Sequence, residues 1–209
     1  MRSAKVLPEV IIYDVELSCG LPAFVSLVSG INAIAHAVEA LYAENANPVA
    51  SSLAELATAL PRIVANMADQ QARADALFGA WVCGTCLGAV GMALHHKLCH
   101  TLGGGFDLPH AETHTVVLPH VVAYNASAAS DGLGRVARAL KAENPAQALF
   151  DLAANNGAPT SLRQIGMSES DLDKAADAAV LSPYWNPRPV ERNAIRALLD
   201  DAYHGRRPS

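Results

Sequence analysis

Aromatic residues make up only 5% of this chain and charged residues only 17%, against 51% hydrophobic. So little charge among so much apolar residue excludes a disordered chain. Abundant alanine and leucine beside few aromatics points instead to packed helices. There is no basic stripe, and the net charge is −5 with both signs interspersed. That argues against nucleic acid and against an anionic membrane as partners. No charged-then-apolar leader pattern is present, and the most apolar stretch, Ala74 to Leu94, is interrupted by Asp75, Thr85 and several glycines. A cytoplasmic protein without a membrane span is expected. Cys19, Cys83, Cys86 and Cys99 fit a reducing compartment, where free cysteine behaves as a small buried hydrophobe.

What is there is mostly helical. Val6 to Tyr13 is the one strand signal, short and β-branched, and a single strand cannot make a sheet. Ile31, Ile34, Val38 and Leu41 recur at helical spacing, as do Leu53, Leu56, Leu60 and Ile63. A long third helix is expected from Arg73 to Leu102, with Gly84, Gly88 and Gly91 as a bare stripe for close helix approach. Gly103-Gly104-Gly105 should stop it, and Pro109 suits the first turn of the next. Further helices are expected at Gly132–Leu140, Pro145–Asn155, Glu169–Leu181 and Val190–Tyr203, with a capping box from Ser168 to Asp171. The fold class is therefore all-α with one short N-terminal β-strand.

Six of the eight histidines fall between His95 and His120. They sort into pairs four residues apart: His96 with His100, and His110 with His114. Asn32 and His36 repeat the spacing upstream. Positions i and i+4 lie on one helix face, so three helices would each aim two polar groups in one direction. A single histidine of this kind is better read as a satisfied core residue. Taken jointly, His36, His96, His100 and His110 indicate one shared polar site, and His95, His114, His120 and His204 are read as structural. The pair spacing also suits a divalent ion. Cys83-Gly-Thr-Cys86 lies mid-helix without a second pair and reads as packing. The triple glycine lacks the lysine and the strand–helix setting of a phosphate loop.

Three runs carry a resemblance: Gly30–Tyr42 (GINAIAHAVEALY), Met92–Gly104 (MALHHKLCHTLGG) and Leu108–His114 (LPHAETH). Together they resemble the iron-containing alcohol dehydrogenase family, and within it the maleylacetate reductase branch; Pro183–Arg192 looks like that branch too. The resemblance implies a dehydroquinate synthase-like C-terminal helical domain over residues 21–209. Residues 1–20 would be a remnant strand and linker of an absent nucleotide-binding domain. It implies NADH or NADPH as cofactor and a small dicarboxylate as substrate, with reduction of maleylacetate to 3-oxoadipate. By position, the family's metal ligands fall on Asn32, His36, His96 and His110, and its second histidine near the reacting carbon on His100. Asn32 replaces a family Asp, so weak or no metal binding is expected, with His36, His96 and His110 as the ligands if any. His100 is then the catalytic candidate, and Asn32, His36, His96, Lys97 and His110 the substrate-binding ones. A homodimer is expected. The alternatives are an iron-dependent alcohol dehydrogenase and a non-enzymatic helical dimerisation or binding module.

Overall fold

A computed structural model describes residues 8–43, 50–181 and 184–209. It is built from helices α1 (Val15–Ser18), α2 (Ala23–Tyr42), α3 (Ala50–Ala65), α4 (Gln70–Ala89), α5 (Leu94–Phe106), α6 (His110–Asn125), α7 (Ser130–Ala139), α8 (Pro145–Asn155), α9 (Leu172–Val180) and α10 (Arg192–His204). Among the described residues there is no strand. The expected strand is not formed over residues 8–13, where Val10, Ile11 and Ile12 are 77%, 59% and 85% exposed. No neighbouring strand is present to take its hydrogen bonds. Val6 and Leu7 lie outside the described residues.

Helix α6 is the central wall. Leu118 and Val122 face a core built with α2, α3, α4, α7 and α8. Val116, Val117, Val121 and Tyr124 face a second core built with α5, α9 and α10. That double burial explains why α6 is apolar along most of its length. Helix α2, with Leu27, Ile31, Ile34, Val38 and Leu41 buried, is long and apolar enough to cross a membrane, at mean hydropathy 1.5. Here it is a core helix. Leu56, Leu60 and Ile63 of α3 are buried as their spacing requires; the Leu53 side chain lies outside the described part.

The expected helix over Arg73–Leu102 is broken in two. α4 ends at Ala89, and α5 begins at Leu94 after an extended step at Val90 and Ala93. Glycine makes this stretch a weak helix former, and the new helix start has its own partner. The Glu39 carboxylate of α2 accepts the Ala93 and His95 N–H groups at 3.0 and 2.8 Å. Nor does the triple glycine stop α5. The stripe Leu94, Leu98, Leu102 and Phe106 keeps packing beyond it, and the turn away falls on Asp107 at φ 55°, a left-handed conformation Asp tolerates better than most residues.

Two further expectations fail for steric reasons. A Cβ at Gly84, Gly88 or Gly91 would meet nothing within 4 Å, so no described helix packs on that stripe; the close approaches are at Gly30 against Leu60, at Gly79, where a Cβ would lie 2.6 Å from Leu56 Cγ, and at Gly132, where it would lie 2.7 Å from the Leu41 carbonyl oxygen. Ser168 makes no side-chain cap; its hydroxyl pairs with that of Ser170 at 2.8 Å. The helix expected over Glu169–Leu181 accordingly starts as a 3-10 turn, Glu169–Asp171, before α9. Cys83 and Cys86 are buried in the first core.

Candidate active site: a histidine cluster between three helices

Helices α2, α5 and α6 meet where the sequence pairs require. Asn32, His36 and Glu39 lie at i, i+4 and i+7 on one stripe of α2. His96 and His100 follow one another on α5, and His110 and His114 on α6. The rings form a connected chain. His36 and His96 have centroids 4.5 Å apart, His96 and His100 6.4 Å, His100 and His110 6.4 Å, and His110 and His114 4.4 Å. His100, His110 and Lys97 are exposed at the rim, Asn32 and His36 are half-buried, and His96 is buried.

Two histidines read as structural belong to the cluster as well. His114 is fully buried, with its ring 5.0 Å from that of His96. Behind it, the Nε2 of fully buried His95 lies 2.9 Å from His114 Nδ1. The i, i+4 partnership of His110 with His114 was the available signal. For His95, which leaves its helix on a different side from His96, the sequence offered none. His120 and His204 are elsewhere, His120 buried beside α10 and His204 exposed on α10 with Asp200.

Glu39 is the residue that sequence reasoning missed. It is fully buried, and its Oε2 lies 2.6 Å from His96 Nδ1. A carboxylate in the middle of an apolar helix stripe was the signal, since such a group is rarely buried without partners. Asn186 closes the same corner: its Oδ1 lies 3.4 Å from the Leu94 N–H and accepts from the Asn125 amide at 3.2 Å. The 184–192 segment is thus tied to the start of α5. Pro183 lies outside the described residues.

Four of the six rings are pulled below their usual range. Burial, then the neighbouring His96, pulls His36 down to about 4. Burial first, then the neighbouring His96, takes His114 to about 2. His95 is driven well below its usual range by burial and by His114. His100 is lowered more mildly, by partial burial and then by His96, His110 and Lys97. Asn32 Oδ1, His96 Nε2 and His114 Nε2 are buried and have no hydrogen-bond partner in the protein. Buried polar atoms are nearly always paired, so unpaired ones gathered in one cluster mark a place for a ligand.

The C-terminal domain model of the Fe-containing alcohol dehydrogenase family matches residues 26–203. The chain belongs to this family. It is 56% identical to a maleylacetate reductase of Burkholderia cepacia, over 100% of this chain and 60% of that protein. A solved maleylacetate reductase from a Rhizobium strain superposes with a TM-score of 0.95 at 52% identity, covering 100% of this chain and 61% of that one. A putative alcohol dehydrogenase structure from Ralstonia eutropha gives 0.97 at 56% identity, with 100% and 61% covered. The chain thus spans about three fifths of the length of these family members.

Iron-family membership raises the question of a metal. Three imidazoles can suffice for a divalent ion, so the amide at position 32 weakens a site without abolishing it. Among the described histidine, cysteine and acidic residues, the ligand atoms lying mutually within 4.8 Å are those of His95, Cys99 and His114. The His36, His96 and His110 nitrogens do not gather in this way. The inner trio is no better: its two imidazoles already share a hydrogen bond, and burial first, then Glu39, keeps the Cys99 thiol well above its usual range.

Proposed function

We propose that this chain is the substrate-binding, helical part of an NAD(P)H-dependent maleylacetate reductase. The observation that carries the reading is the polar cluster itself. Unpaired amide and imidazole groups converge between α2, α5 and α6, in a chain 56% identical to a relative named for that activity.

In the proposed reaction, hydride from the nicotinamide adds to the substrate carbon β to the ketone. The electron pair of the double bond moves toward the carbonyl oxygen as an enolate, and a proton then completes 3-oxoadipate. Stabilising that oxygen and delivering that proton are tasks for preorganised donors. Lys97, His110 and His100 at the rim face a dianionic substrate, with Asn32, His36 and His96 lining its inner side. His100 is assigned the proton transfer: it is the ring most open to solvent on α5, so a proton it passes to the substrate carbon is replaced from water. No metal is assigned a step.

The protein groups that hold a dinucleotide are chiefly a glycine-rich loop and a helix N-terminus following a strand, and the described residues offer no such unit. The exposed apolar side chains of Val10, Ile11 and Ile12 support a reading in which a nucleotide domain packs against this segment. The test is to join residues 1–209 behind the nucleotide domain of a maleylacetate reductase and follow oxidation of NADH and of NADPH. Maleylacetate-dependent oxidation by the joined protein is expected, and negligible turnover by residues 1–209 alone. Stoichiometric iron together with alcohol oxidation would favour the iron-dependent dehydrogenase instead.

A further inference from the structure

We infer that Glu39 is a positioning residue that fixes the tautomer of His96 and so makes its Nε2 a bare acceptor facing the cluster; this rests on the reading of the cluster as the substrate site. Glu39 is fully buried, and among the described residues no lysine or arginine forms an ion pair with it. Its partners are the Ala93 N–H at 3.0 Å on Oε2, the His95 N–H at 2.8 Å on Oε1, and His96 Nδ1 at 2.6 Å on Oε2. Two of these are backbone donors that cannot reverse their role. As a carboxylate the side chain is acceptor-only, so the third partner must donate, and the proton of His96 sits on Nδ1.

The other ring nitrogen follows by elimination. Nδ1 is taken up by Glu39, and Nε2, the nitrogen left to face the cluster, is buried without a partner. Asn32 Oδ1 is a second unpartnered acceptor, four residues before His36 and seven before Glu39 on α2. A carboxylate that orients a site histidine through Nδ1 is a recurrent arrangement wherever the opposite nitrogen does chemistry.

The same carboxylate supplies the cap that α5 lacks locally, since Ala93 has no capping side chain. One group therefore sets both the start of the helix that carries His96 and His100 and the direction in which His96 accepts. The consequence for recognition is specific. A ligand atom meeting His96 Nε2 must bring a hydrogen, as a hydroxyl or an enol does, while its anionic groups belong at the Lys97 rim.

The test is the ring-nitrogen NMR spectrum of isotope-labelled histidine in the 209-residue chain, which distinguishes a protonated from a bare nitrogen without any substrate. The His96 signals are assigned by their loss in His96→Gln. In the unmodified chain His96 is expected wholly in the Nδ1–H form. In Glu39→Met, which keeps length but removes both acceptors, the Nε2–H form becomes populated while the His120 and His204 signals stay in place. An unmodified chain with His96 protonated on Nε2 overturns the inference, whether or not the variant folds. So does a folded Glu39→Met whose His96 signals are unchanged. Because no turnover is measured, neither result depends on the substrate assignment.

Discussion

Acidification is the perturbation to which this architecture should be most sensitive. Four histidines, His36, His95, His114 and His120, have pKa values depressed mainly by burial. Between the ordinary value of 6.5 and the folded value, the unfolded chain binds a proton that the folded chain refuses. Stability is therefore fully present above about pH 6.5 and is lost as the pH falls toward the folded values. The slope is up to about 1.4 kcal/mol per pH unit for each such group. His120 is only 5% exposed and is lowered to about 4, burial dominating and Asp201 opposing; its share of the loss is about 3 kcal/mol. That is a large fraction of a typical folding free energy of about 5–15 kcal/mol. The histidines around His96 act in the same direction, and Glu39, the one carboxylate inside that cluster, is already engaged with two backbone donors and His96. Urea unfolding followed by circular dichroism at a series of pH values reads the slope directly. A steep fall between about pH 6.5 and about pH 4.5 is expected, with a shallower one in His120→Gln. A folding free energy that stays level across that interval would refute the account of a neutral buried cluster.

Four substitutions test other parts of the account. Asn32→Asp places a carboxylate beside the cluster and should raise affinity for iron or zinc by an order of magnitude or more, read by calorimetric titration of metal into the purified chain; tight stoichiometric metal in the unmodified chain would count against the present reading. In the enzyme joined to a nucleotide domain, His100→Ala should lower kcat by roughly a hundredfold or more, the range typical of lost acid–base assistance, and activity near that of the unmodified enzyme would remove His100 from the chemistry. Gly132→Ala would set a Cβ 2.7 Å from the Leu41 carbonyl oxygen and 2.9 Å from Tyr42 Cβ, and should cost about 1–3 kcal/mol in urea unfolding, whereas Gly84→Ala, with open space around it, should stabilise α4 by about 1 kcal/mol.

Periodicity carried the fold a long way because most helices here are amphipathic in the ordinary sense. Pro145–Asn155 has the bounds its spacing implied, and Gly157 ends that helix at φ 80°. The failures are where a long-range partner overrides local preference. Nothing near Ala93 in the chain indicates a helix start; the acceptor comes from Glu39, 54 residues away in sequence. Likewise the glycines at 103–105 remain helical because Leu102 and Phe106 on either side of them still pack into the second core. For the site, the i, i+4 spacing gave each pair a common direction, and the family resemblance supplied the mutual placement of His36, His96, His100 and His110. His95 was beyond such reasoning, because its partner His114 lies on another helix. Lys97 could be placed at the edge only through its neighbour His100.

The central claim is that the cluster between α2, α5 and α6 receives a dicarboxylate. The most direct measurement is titration of maleylacetate, and of 3-oxoadipate, into the labelled 209-residue chain, following the histidine ring signals. The account expects saturable shifts at His36, His96, His100 and His110, with His120 and His204 unmoved. Saturation that moves His120 or His204 instead, or no change at any histidine while the joined enzyme turns over, would contradict it.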